Sequence, residues 1–190
     1  MNTEQPLSKN LLYLAAGTAA ILLIPFTAMQ FTSEVVWTLS DFIFAAVLIL
    51  GTGSTYLFVT RKSGTTAYRI AVGLALGTGF FLIWSNLAVG IIGSEDNPIN
   101  LWYFGVIAIG IIGAFISGFK ADGMVITLSA AAMAQALISF VAIFGGYYQS
   151  PPSSVIEILG VNGFFVTLWL VSALTFRYAA QKETENHPPE

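Results

Sequence analysis

The chain has 190 residues, 56% of them hydrophobic and 9% charged, with a formal net charge of -3 at pH 7. A soluble globular domain carries about 25% charged residues, so this chain lacks the side chains to cover a water-exposed surface. It has no cysteine and one histidine, which excludes disulfides, thiolate metal sites, iron–sulfur clusters, a cysteine nucleophile and paired-histidine haem or zinc sites.

Apolar runs of about 20 residues, separated by short polar patches, mark a polytopic α-helical membrane protein. The expected fold class is all-α: a six-transmembrane-helix bundle in a single domain over 1–190, with both termini cytoplasmic. The first span is read at about 10–31. Lys9 and the run "LLYLAAGTAAILLIP" resemble the start of a signal peptide, but "FTAMQF" offers no small-x-small cleavage site, so the span is read as retained. The others fall at about 35–60, 67–93, 101–119, 123–146 and 155–176, each near or above the length that crosses about 30 Å of hydrocarbon. Residues 177–190 are a short polar tail, and it carries His187.

The basic residues fix the sidedness. Lys9 precedes span one; Arg61, Lys62 and Arg69 flank the link between spans two and three; Lys120 joins four to five; Arg177 and Lys182 follow span six. All seven therefore fall on one side of a six-span chain, which the positive-inside rule makes the cytoplasm. The opposite links, around Glu34, around Glu95–Asp96 and at "GGYYQSPPSS", hold no Lys or Arg. In the second of these, Pro98 and the asparagines fit a tight turn, and Trp102 and Tyr103 fit an interfacial aromatic belt, matched by Tyr147 and Tyr148. Glu95, Asp96, Asn97 and Asn100 also make an oxygen-rich external cation site conceivable, although their spacing is not that of a calcium loop.

Small residues recur at helical spacing: Gly73 and Gly77 in span three, Gly110, Ala114 and Gly118 in span four, and "SAAAMAQA" from Ser129 in span five. Such faces let helices approach closely in lipid, which makes spans three, four and five the expected centre of the bundle or, alternatively, an oligomer surface.

A second pattern is a belt of polar side chains inside the membrane. Asp41 lies seven residues into span two from Glu34, about 10 Å deeper. Asn86 lies about 10 Å from the outer end of span three and Asn162 about 12 Å from that of span six, with Glu157 one turn above; Gln135 of span five sits about 16 Å in. Trp84 stands beside Asn86 as an aromatic wall. Such groups are costly facing lipid, so they are expected to turn inward. They then form either an interhelical hydrogen-bond network or a pocket open to the outside in which Asp41 is the titratable group.

No Gly-x-Ser-x-Gly motif, His–carboxylate pair, thiol or mid-span lysine is present, so no catalytic residue, metal site or cofactor is assigned and a lipid-acting enzyme is disfavoured. The lipid bilayer is the expected surrounding, with a membrane-protein partner or a second copy meeting the small-residue faces and no nucleic acid. The chain resembles small bacterial inner-membrane proteins in general terms only. Two functions are weighed: a non-catalytic accessory or assembly subunit of a membrane complex, favoured by short loops and small-residue faces; and a small-solute or ion carrier using the outer polar pocket, proton-coupled at Asp41.

Overall fold

The computed structural model describes residues 7–61, 65–149 and 153–186. Lys62, His187 and positions 150–152 lie outside them. The described residues form six α-helices and no strands: α1 (Leu7–Phe31), α2 (Leu39–Thr60), α3 (Thr66–Ala88), α4 (Trp102–Ile116), α5 (Ala121–Phe144) and α6 (Val155–Asn186). All six, α4 together with the 3-10 turn Pro98–Leu101 before it, are long and apolar enough to cross a membrane.

Three boundaries differ most from the sequence reading, each for a local reason. α2 begins at Leu39 rather than near Val35, because Thr38 caps it: the Thr38 hydroxyl accepts from the Asp41 N–H, and the Asp41 carboxylate accepts from the Thr38 N–H. α3 stops at Ala88 rather than Gly93, since Gly90 and Gly93 take positive φ of 73° and 70° and turn the chain. α6 continues to Asn186, so most of the expected polar tail is helix.

The chain divides into two compact units, Met1–Arg61 and Lys62–Glu190. In the first, α1 and α2 form an antiparallel hairpin. A Cβ on Gly53 would meet the Leu14 side chain at 2.4 Å, so this glycine admits a close approach of the helices. At the connected end, Phe42 meets Phe26 and Trp37 edge-on, with ring centroids 6.4 and 5.1 Å away.

In the second unit α6 lies between α3 and α5, α4 packs on α5, and a lighter contact of α4 with α3 closes a four-helix ring. The centre thus includes α6 beside the expected α3, α4 and α5, and α6 packs most extensively on α5. The α4–α5 approach rests on Gly113, where a Cβ would lie 2.5 Å from the Thr127 side chain; Gly77 and Gly110 have open space instead. Between α4 and α5 the chain turns through Gly118 and Phe119 at φ 57° and 60°. The left-handed conformation is unfavourable for a bulky residue. Phe119 is held there by its N–H donating to the Ala114 carbonyl and its own carbonyl accepting from the Tyr68 hydroxyl of α3.

Hydroxyls along the helices bond mainly to their own backbone: Thr18, Thr55, Thr78, Thr127 and Thr175 each donate to a carbonyl one turn earlier. This removes the cost of a bare hydroxyl in hydrocarbon. Ser172 is different, reaching across from α6 to the Ala71 carbonyl of α3 at 2.9 Å.

Candidate functional site

The candidate site lies in the second unit, toward the end that carries the α3–α4 link. Each of the four helices presents a buried polar side chain there: Asn86 from α3, Tyr103 from α4, Gln135 from α5, with Ser139 one turn on, and Asn162 from α6. The geometry centres on Asn162. Its Oδ1 accepts from the Tyr103 hydroxyl and from Gln135 Nε2, both at 2.9 Å, while its Nδ2 donates to the Ile158 carbonyl at 2.9 Å. Three helices are joined at one oxygen.

Asn86 belongs to the neighbouring level. The Ser172–Ala71 bond and the edge-on pair Tyr68–Phe176, 5.3 Å between centroids, set the antiparallel register of α3 and α6. In that register Asn86 stands about 7 Å along the axis from Asn162. Its Nδ2 donates to the Asn100 backbone carbonyl at 3.0 Å.

Asn100 organises the link itself. Its Oδ1 accepts from the Ile91 and Ile92 N–H groups at 3.2 and 3.0 Å, and its Nδ2 donates to the Ile92 and Ser94 carbonyls at 3.1 and 2.7 Å. Non-helical backbone inside a membrane protein must have its polar groups satisfied by the protein, and one asparagine does this for the inward side of the loop. Ser153 adds a tie, its hydroxyl accepting from the Gly93 N–H at 2.6 Å. Ile91, Ile92 and Ile99 are buried beneath the turn.

Three expected groups lie elsewhere. Asp41 is not a deep residue of the first unit: it is exposed in the first turn of α2, its Oδ2 2.6 Å from Thr38 N and 2.8 Å from Thr38 Oγ1. The late start of α2 removes the assumed depth. Glu157 is likewise exposed, in the first turn of α6, where its N–H donates to the Ser154 hydroxyl. Trp84 is half-buried and stacks on Phe80 of its own helix at 6.0 Å. Of the four residues read as an external cation site, Glu95 and Asp96 are exposed, Asn97 accepts from the Ile99 N–H through Oδ1, and Asn100 is turned into the loop. Both asparagine oxygens are already engaged by backbone donors.

Reading the sequence missed two residues. Tyr103, taken for a belt residue beside Trp102, is 1% exposed, whereas Trp102 is 53% exposed. The Thr38–Asp41 box was visible as a Thr-x-x-Asp signature ahead of an apolar run.

Among the described residues every Asp, Glu, Lys and Arg is exposed, so the interior is polar but uncharged. Among the described residues three buried side-chain polar atoms have no protein partner: Asn86 Oδ1, Gln135 Oε1 and Trp169 Nε1. The arrangement can bind helices together and offer neutral hydrogen-bonding atoms; it holds no buried carboxylate to relay a proton.

Six apolar helices whose large hydrophobic side chains point outward define a multi-pass α-helical membrane protein in contact with lipid. No protein-family model, no curated protein and no solved structure matches the chain.

Proposed function

We propose that the protein is a non-catalytic accessory or assembly subunit of a larger membrane complex, in a bacterial cytoplasmic membrane with both termini inside. The observation that carries this reading is the lock at Asn162, which ties α4, α5 and α6 through neutral groups. Such a lock suits a scaffold that keeps one shape. The α1–α2 hairpin supports it from another direction. Taken by itself, the hairpin buries only Thr18 of α1 and Ala45 and Thr60 of α2, so two helices alone give most of their side chains no protein neighbour. The orientation rests on the basic residues. Extraction in mild detergent followed by native mass spectrometry tests the proposal: a stoichiometric copurifying membrane protein is expected, and a bare monomer or pure homo-oligomer overturns it.

A second reading, a carrier of small neutral solutes, is favoured by the buried acceptors of Gln135 and Asn86 that no protein donor meets. The proton-coupled form of that reading depended on Asp41, whose carboxylate is bound in a helix cap. Uptake of a neutral solute into proteoliposomes, lost in Gln135→Met and retained in Asp41→Asn, is the result this reading requires.

A further inference from the structure

We propose that the interior of the α3–α6 unit binds a small neutral hydrogen-bond donor, water, at Oε1 of Gln135. The inference goes beyond the subunit reading and does not depend on it. Gln135 is fully buried, at 0% exposure. Its amide orientation is determined by its neighbour. Asn162 must direct Nδ2 at the Ile158 carbonyl, which leaves Oδ1 as an acceptor, so Gln135 must present Nε2 to it. Turning the Gln135 amide over would set two oxygens against each other. Oε1 is therefore an acceptor that points away from Asn162 with no protein donor. The same logic holds for Asn86, whose Nδ2 faces the Asn100 carbonyl and whose Oδ1 is left over.

A buried acceptor without a donor costs about 1–3 kcal/mol, and native interiors contain few of them. Whatever meets this acceptor must donate. It must also be neutral, because no charged side chain is buried among the described residues, and an uncompensated ion in this interior would be costly. It must be small. Gln135 is wholly enclosed and the residues one turn before it on α5, Ala131 and Ala132, are buried as well, so nothing large can reach the amide. Water meets all three conditions and makes two to four bonds in such sites.

The test uses the whole protein in lipid nanodiscs with 15N-labelled glutamine, reading magnetisation transfer from water to the Gln135 side-chain NH2. Gln135→Met assigns the signal by its loss, and Gln135→Glu serves if that variant does not fold. A water cross-peak at Gln135 is expected, alongside one at exposed Gln149 as the positive control. Its absence while the Gln149 peak is present overturns the proposal. If added urea displaces the water peak and gives its own, the site stands and takes small neutral solutes as well. Copurification of a partner has no bearing on this outcome, so the two proposals fail separately.

Discussion

Gln135 Nε2 and the Tyr103 hydroxyl donate to the same atom, Asn162 Oδ1, each at 2.9 Å. Removing that acceptor strands two buried donors at once. Asn162→Leu is expected to destabilise the protein by about 2–4 kcal/mol, since each stranded donor costs about 1–3 kcal/mol. Tyr103→Phe strands nothing, because Asn162 Oδ1 keeps Gln135, and should cost only about 0.5–1.5 kcal/mol. Reversible unfolding in bicelles measures both.

Asp41 is expected to behave as a cap. Asp41→Ala should cost about 0.5–2 kcal/mol, and Asp41→Asn less, because an amide oxygen still accepts from the Thr38 N–H. Thermal unfolding in detergent checks the order. A large loss of stability in Asp41→Asn, equal to that of Asp41→Ala, would show that the carboxylate has another role.

Asn100 makes four side-chain bonds to the backbone of residues 91–94. Asn100→Asp keeps the two accepted bonds but turns an oxygen toward the Ile92 and Ser94 carbonyls, so it should open the loop more than its small size change suggests. The expected signature is faster hydrogen exchange at Ile91 and Ile92 with little change in α5. Unaltered exchange there contradicts the assignment.

Gly113→Ala sets a methyl group against Thr127. Overpacking of this kind costs about 1–3 kcal/mol. Thr127→Ala in the same chain removes the methyl and hydroxyl in the way and is expected to recover part of the loss, which a four-state comparison of unfolding midpoints reads directly.

The spans were legible because hydrocarbon leaves a chain little freedom: long apolar runs between polar patches have to be helices. The inward turn of Asn86, Gln135 and Asn162 was legible for the same reason, since an amide is costly facing lipid. What escaped was local. Tyr103 could not be told from Trp102, because in a helix apolar on every side the period of hydrophobicity carries no signal for the buried face. Asp41 looked deep only while α2 was taken to start before Thr38. Asn100 looked like a ligand because polar residues in a link resemble a surface; Ile91 and Ile92, the apolar residues that the loop folds inward, were assigned to the end of span three instead.

The proposed sidedness can be mapped cleanly because the chain has no native cysteine. Single cysteines at Asp96 and Gln181 should be labelled by an impermeant maleimide from opposite faces of the membrane, Asp96→Cys from outside intact cells and Gln181→Cys only after they are opened. Labelling of both from outside would overturn the inward orientation of the C-terminus.

The coupling between Gln135 and Asn162 is the centre of the lock that joins α4, α5 and α6. A double-mutant cycle of Gln135→Met and Asn162→Leu, measured by unfolding in bicelles, should give an interaction energy of about 0.5–2 kcal/mol, the range for interhelical hydrogen bonds in membranes. Additive single losses, with no interaction energy, would contradict the lock at the centre of the bundle.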